Sequence, residues 1–501
     1  MNNNAQHTWK SQWFFILASV GAAAGLGNLW RFPYMVYENG GAVFVFAYIV
    51  CLFVMIIPLM MTEVALGQTH RKEFVALLGE KAGWIGRTAG WMMVLLIVLL
   101  LGYYTPVAAW GLDYLYHSFA LPWAGNTEGF FYGNILQLTD SPEIFGGYSA
   151  PVIWGLAIAY LTVFFSIFQG IHSITRVIKW TVSLPMILLG ILLINAMFLP
   201  GSADGFRYLL IPDWSKIGSV LVWKDAASQA FLSANVGLII TVFYACFNEQ
   251  KTNIARSALF VALGNASVSF LAAFAIFGTL GYMALQQGVP ITEVVASGPT
   301  LAFVAFPKAL TVLPFGSKIF SFFFFLTIFT LAIDTIFAAM EVVVATLRSE
   351  FNWINAYSRE KVIGVCCVLF FIWSLAFAGG NGLYRLDALD HGLWAHLFYW
   401  AVIPQIIIIG WMVPISALRE RINAVSAITI GPWLDGIVKY VAPMFLLAVY
   451  ISSLPKEWTE PYGGYDQAFL HTWMTAPIVG VVILSMLLAT RKVQPTAPLP
   501  S

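Results

Sequence analysis

Twelve apolar runs, each long enough to cross a lipid bilayer, constrain this chain more than any other feature. A spanning helix needs roughly 20 mostly apolar residues, because hydrocarbon offers no partner to an open backbone N–H or C=O. Such runs lie at about 11–36, 42–68, 88–119, 151–168, 173–198, 226–248, 254–286, 315–348, 360–379, 386–414, 435–454 and 471–490. Hydrophobic residues make up 60% of the chain and charged ones 10%, against about 25% charged in soluble domains. That is too little charge to coat a soluble surface. The expected fold class is therefore an all-α polytopic membrane protein with 12 transmembrane helices. With 25 Lys and Arg against 24 Asp and Glu, the net charge is +1, and no basic patch invites nucleic acid. Cys51, Cys246, Cys366 and Cys367 all sit in apolar runs, as small core residues do, and form neither a disulfide framework nor a metal site.

Lys and Arg in the short connections set the orientation. One set of connections carries Arg71, Lys72, Lys81 and Arg87, then Arg176 and Lys179, Lys251 and Arg256, Arg348, Arg359 and Lys361, and finally Arg419 and Arg421, with Arg491 and Lys492 in the tail. The connection 120–150 on the other side has Glu128, Asp140 and Glu143 but no Lys or Arg. Both termini are expected in the cytoplasm and the chain in the cell (plasma) membrane. No small-residue cleavage site follows the first run, so it is expected to stay as a span. Residues 1–490 read as one transmembrane domain and 491–501 as a Pro-rich cytoplasmic tail. Residues 290–313, apolar but interrupted by Pro and Gly, suit a lid-like or re-entrant hairpin better than a thirteenth span. With no phosphate-binding loop or soluble head, neither an enzyme nor an ATP-driven pump is expected.

The first span contains GAAAGLGNLWRFPY, Gly21 to Tyr34. Gly21, Gly25, Gly27 and Pro33 make a poor helix, and Asn28 and Arg31 place polarity where it is expensive. Small residues also permit close helix packing, but the two polar side chains favour an unwound, ligand-binding segment. The sixth span has a matching interruption, SQAFLSANVG, with Gln229, Ser233, Asn235 and Gly237. Two discontinuous spans in corresponding positions mark two inverted five-helix repeats with ligands between the half-helix ends. The repeats are expected at about 11–198 and 226–414, with two further helices at 435–490. Further polar insertions are Tyr103 and Tyr104, Asn265 and Ser269 four apart on one helix face, and Asp334 with Thr335. A carboxylate at the depth of Asp334 needs a cation or a proton, and oxygen ligands without Cys or His suit a hard cation.

Taken together, GAAAGLGNLWRFPY, YENGG, IPLMMTEVALGQ, GPTLAFVAFP and LAIDTIFAAMEVV resemble the neurotransmitter:sodium symporters (solute carrier 6-like). The resemblance runs from Trp9 to about Thr490. It implies a LeuT-like fold and points to a bacterial member with an animal-like chloride site. It also implies two sodium sites. The first would use the Ala23 carbonyl with Asn28, Ser233 and Asn265, the second the carbonyls of Gly21, Ala24 and Leu331 with Asp334 and Thr335. The substrate pocket would be lined by Ala22, Ala24, Gly25, Gly27, Tyr104, Leu232, Ser233, Asn235, Leu238, Thr335 and Ala339. Gly25 stands where monoamine carriers have Asp, leaving backbone amides for a carboxylate or sulfonate. A small zwitterion such as taurine, hypotaurine, GABA, glycine or alanine is therefore expected.

A chloride ion would lie among Tyr48, Gln229, Ser233, Asn265 and Ser269. Ser269 stands where chloride-independent relatives have Glu, so a neutral donor set replaces a fixed negative charge. Arg31 and Asp390 would pair as the outer gate, above a lid of Tyr104 and Leu238. The family's inner ion-pair latch is expected to be absent, because Gln6, Ser349 and Phe247 replace its members. Trp9 would seal that side, with His7 or Lys10 against Glu350 as a substitute pair. Glu63 is expected to brace the unwound backbone. The resemblance implies sodium- and chloride-driven symport with no obligate protein partner. A non-transporting amino-acid sensor is the alternative, and a channel suits a doubly gated site less well.

Overall fold

A computed structural model describes residues 8–491. Gln6, His7, Lys492 and the tail 493–501 lie outside the described residues. Ten continuous helices among the described residues are long and apolar enough to cross a membrane. An eleventh span is the pair Gln12–Ala23 and Gly27–Glu38, bent by 65°. The twelfth is span 6, Val220–Ser233 and Ile240–Ala245, parted by residues 234–239. The other spans are Ala42–His70, Phe74–His117, Ala150–Ile167, Ile171–Met197, Ile254–Gln287, Ser317–Glu350, Arg359–Phe377, Gly382–Met412, Trp433–Pro455 and Gln467–Ala489. Each falls on one of the expected apolar runs. The third begins earlier than its hydropathy suggests, because a limb starting at Phe74 joins it through a kink at Ala82 and Gly83.

The two breaks have local causes. In span 1 the helix ends at Ala23, Ala24 takes ψ 85°, and helical geometry resumes at Gly27. In span 6, Asn235, Gly237 and Ile239 occupy the left-handed region at φ 54°, 86° and 57°. Asn and Gly tolerate that region, but β-branched Ile does not, and such a residue stores on the order of 1–3 kcal/mol of strain. The surroundings must therefore enforce the break. Span 2 helps to do so. A Cβ on Gly67 would lie 2.1 Å from the Val242 carbonyl oxygen, so only glycine lets span 2 approach the inner half of span 6 this closely.

Residues 290–313 hold a short turn of helix, Ile291–Glu293, followed by the helical stretch Gly298–Thr311. Its Phe303 is fully buried, stacks on Phe131 and accepts a 2.7 Å hydrogen bond on its carbonyl from Tyr114. The side chains of Trp154, Phe165, Ile194, Val368, Met444 and Leu487 point outward and are exposed. Apolar residues on the outside suit a lipid environment. All four cysteines are buried and unpaired.

Candidate functional site

The broken segments of spans 1 and 6 meet span 8 at one backbone atom. The Ala22 carbonyl accepts hydrogen bonds from Asn235 Nδ2 at 2.6 Å and from the Thr335 hydroxyl at 3.2 Å. Glu63 on span 2 accepts from the Gly237 amide at 2.7 Å, and its other oxygen has no partner. These contacts satisfy backbone groups that an unbroken helix would pair internally. Asn235 thereby acts as a strut between the two breaks, a role its spacing does not announce.

Beside them lies a buried amide and hydroxyl cluster. Asn28 Nδ2 reaches Asn265 Oδ1 at 2.8 Å and Ser269 Oγ at 2.9 Å, while Asn28 Oδ1 accepts from the Gly25 amide at 3.2 Å. Asn265 Nδ2 donates to Ser233 Oγ at 3.3 Å. The structure thus brings Asn28, Ser233 and Asn265 together, with buried Ala23 at the neighbouring helix end. The Tyr48 hydroxyl lies beside Ser233 and Ser269 but makes no hydrogen bond. A wholly buried hydroxyl without a partner costs about 1–3 kcal/mol, and an acceptor among these donors removes that cost. Gln229 does not join them. Its carbonyl takes Arg31 and its amide donates to the Gly27 carbonyl at 3.4 Å.

Asp334 is fully buried and neither carboxylate oxygen accepts a hydrogen bond. The nearby Thr181 hydroxyl donates instead to the Val177 carbonyl. Gly21 faces the carboxylate so closely that a Cβ there would lie 2.8 Å from Oδ2. Leu331 is one turn away on the same helix, and its carbonyl accepts from Thr335 at 3.4 Å. A dry carboxylate with open lone pairs offers the kind of oxygen donors that a hard cation can use.

Of the residues expected to line the substrate pocket, Gly27, Tyr104 and Leu232 are half-buried and the rest are buried. A Cβ on Gly25 would come within 2.8 Å of the Tyr104 hydroxyl and 3.2 Å of Thr335 Oγ1. One expectation needs correction here. The amides of the first break are not open: the Gly25 amide is held by Asn28, and the Leu26 amide donates to the Tyr104 hydroxyl at 3.1 Å. Leu238 lies in the second break, its amide bonded to the Asn235 carbonyl. Ala339 lies four residues beyond Thr335, on the same helix face, and Leu232 lines a cleft with Ser228, Trp394 and Tyr399.

The pair expected as the outer gate is also arranged differently. Arg31 and Asp390 do not bond each other. Arg31 is held by Gln229 and by Ser228 Oγ at 3.3 Å. Asp390 accepts from the Tyr103 hydroxyl at 2.6 Å and from the Trp394 indole at 2.9 Å. Each charge is satisfied by other partners, so these two side chains do not tie span 1 to span 10. At the end expected to face inward, Glu350 pairs with Arg87 instead of Lys10. Trp9 is 2% exposed, donates from its indole to the Tyr244 carbonyl at 2.9 Å and meets the Tyr244 ring edge-on. Its amide bonds the Phe247 carbonyl at 3.0 Å, so Phe247 serves as an anchor through its backbone.

The chain matches the model of the sodium:neurotransmitter symporter family over residues 6–128 and 124–494. It is 36% identical to an uncharacterized sodium-dependent transporter of Methanocaldococcus jannaschii, covering 94% of this chain and 95% of that one. It is 29% identical to the mouse sodium- and chloride-dependent creatine transporter 1, over 93% of this chain and 79% of the relative. Identity to the mouse sodium- and chloride-dependent GABA transporter 2 is 30%, over 91% and 82%. These relatives are transporters, not enzymes. Twelve helical spans, breaks in the first and sixth, and a match along nearly the whole length lead to one conclusion: this chain belongs to the sodium:neurotransmitter symporter family, with its LeuT-like fold of two inverted five-helix repeats.

Proposed function

We propose that the protein is a sodium- and chloride-dependent secondary active symporter of a small zwitterionic amino acid or analogue, working by alternating access. The observation that carries this reading is Asp334, a buried carboxylate with two open oxygens set against the broken first span. A sodium ion there would be held by Asp334, Thr335 and the carbonyls of Gly21, Ala24 and Leu331. A second would be held by Asn28, Ser233, Asn265 and the Ala23 carbonyl, with the substrate carboxylate beside it. For this the amide oxygens of Asn28 and Asn265 must exchange their present N–H donors for the cation. The zwitterion would sit against Gly25 once the Tyr104 hydroxyl moves off it, since even a Cβ there would now lie 2.8 Å from that hydroxyl. The zwitterion's carboxylate would take over bonds now made to the Gly25 and Leu26 amides. Relatives named for creatine and GABA support a small zwitterion.

Chloride would rest among Tyr48, Ser233, Asn265 and Ser269, and Gln229 would join when it releases Arg31. Two sodium ions and a zwitterion leave surplus positive charge in a poorly solvated site, which is costly unless compensated. Closing the outer side would bring Arg31 to Asp390, while release inward would require Trp9 to leave its seat on Tyr244. The chain would form one transmembrane domain over 1–490, with repeats at about 11–198 and 226–414, both termini cytoplasmic and the whole in the cell membrane.

The test is uptake of radiolabelled GABA, taurine, creatine, glycine and alanine into proteoliposomes under an inward sodium gradient, in chloride or gluconate. Uptake of at least one should fall several-fold in gluconate, and Ser269→Glu should restore it. Equal uptake in both anions would remove chloride from the mechanism.

A further inference from the structure

Away from the transport site, the outer ends of spans 10 and 11 bring together two imidazoles and a carboxylate. His391, His396 and Glu457 each offer a ligand atom, and these atoms all lie within 4.8 Å of one another. His391 Nε2 is 3.0 Å from Glu457 Oε2, and His396 Nε2 is 3.8 Å from the same oxygen. Residues five apart on an ordinary α-helix point about 140° away from each other, so this spacing alone would separate the two histidines. The local backbone narrows that difference. Residues Leu393–Leu397 form a π-helical turn, closed by an i→i+5 bond from the Phe398 amide to the Leu393 carbonyl. The wider turn carries His396 round toward the face of His391, and single π-turns of this kind are often found where a function requires them.

The surroundings hold the rings in place. His391 stacks on Tyr462 at 3.6 Å with 8° between the planes. Tyr462 and Tyr465 both donate to Asp387, each at 2.9 Å. His396 lies against Trp400 and Tyr450, themselves joined by a 2.7 Å hydrogen bond. The three ligand side chains retain 16–18% exposure, so an ion from solution has access. Two imidazoles and one carboxylate form a ligand set that favours zinc-class ions over calcium or magnesium, which take oxygen donors.

We propose that His391, His396 and Glu457 bind a divalent transition-metal ion of the zinc class, which clamps span 10 to the segment following span 11. His391 is the residue after Asp390, so the clamp would act next to the group that anchors Tyr103 and Trp394. The test titrates the purified full-length protein with cobalt(II) chloride, followed by visible absorption, and then with zinc chloride. One saturable equivalent of cobalt, displaced by zinc and not by magnesium or calcium, is expected. The substitutions His391→Ala, His396→Ala and Glu457→Gln should each weaken binding at least tenfold. Zinc should raise the unfolding temperature of the native protein but not of these variants, whose unaltered sodium-dependent thermal shift would report an intact fold. Absence of saturable cobalt binding, or binding that survives unchanged when both histidines are replaced, would overturn the site.

Discussion

Asp334 shows how one residue can reveal a function that its neighbours conceal. A carboxylate among apolar side chains is legible in the sequence because burying an unpaired charge is so expensive. The open state of both its oxygens is legible only once the neighbouring helices are in place. Asp334→Ala should abolish sodium-dependent thermal stabilisation, an effect of roughly 3–5 kcal/mol if the carboxylate and cation form a buried pair, while the protein still elutes as a folded species. Retention of that stabilisation would remove Asp334 from the ligands. Gly25 was less transparent. Its lack of a side chain could be read directly, but the capture of its amide by Asn28 depends on how the break folds back.

Glu73, in the connection between spans 2 and 3, carries a different prediction. Burial lifts its carboxyl from the usual 4.5 to about 7, with Glu350 adding to the rise and Thr346 and the Phe74 and Val75 amides opposing it. A carboxyl raised in the folded state binds more protons there than when unfolded, so stability is highest at acid pH and falls as pH rises from about 4.5 to about 7. The loss approaches ~3 kcal/mol. Glu73→Gln should flatten the dependence of melting temperature on pH across that window, and an unchanged profile would contradict it.

At the scale of elements, the expected spans were recovered because a period of apolar residues about 20 long has few other uses. The breaks were recovered because Gly, Asn and Pro within such a run conflict with helix. Features that depend on two elements meeting were not visible. Arg87 finds Glu350 across 263 residues, and Tyr103 finds Asp390 across 287. Nothing in the sequence predicts the π-turn that aligns His391 with His396. The proposed seal at Trp9 would be an element-scale device built on packing and two backbone contacts. Trp9 covers the segment Tyr244–Phe247, within which Cys246 is buried. Trp9→Ala should leave a large void and let water in from that side. Labelling of Cys246 by a membrane-impermeant maleimide, mapped by mass spectrometry to separate it from the other three cysteines, should rise several-fold. Protection equal to the native protein would mean that another layer closes the path.

For the whole molecule, the account is of two repeats whose broken spans share a bonding network with span 8. The Ala22 carbonyl holds Asn235 and Thr335, Asn28 holds Asn265 and Ser269, and Glu63 holds Gly237. Ions that replace some of these bonds would change which elements are joined, and in the proposed mechanism this would couple a sodium gradient to the substrate's path. A sensor or an ion channel built on the same scaffold needs no such coupling. Accumulation against a gradient therefore separates the possibilities. The decisive measurement is the internal concentration of the transported zwitterion in proteoliposomes, with an inward sodium gradient and again after that gradient is collapsed. The account predicts accumulation well above the external concentration in the first case and simple equilibration in the second. Equal uptake in both, or saturable binding with no internal accumulation, would contradict it.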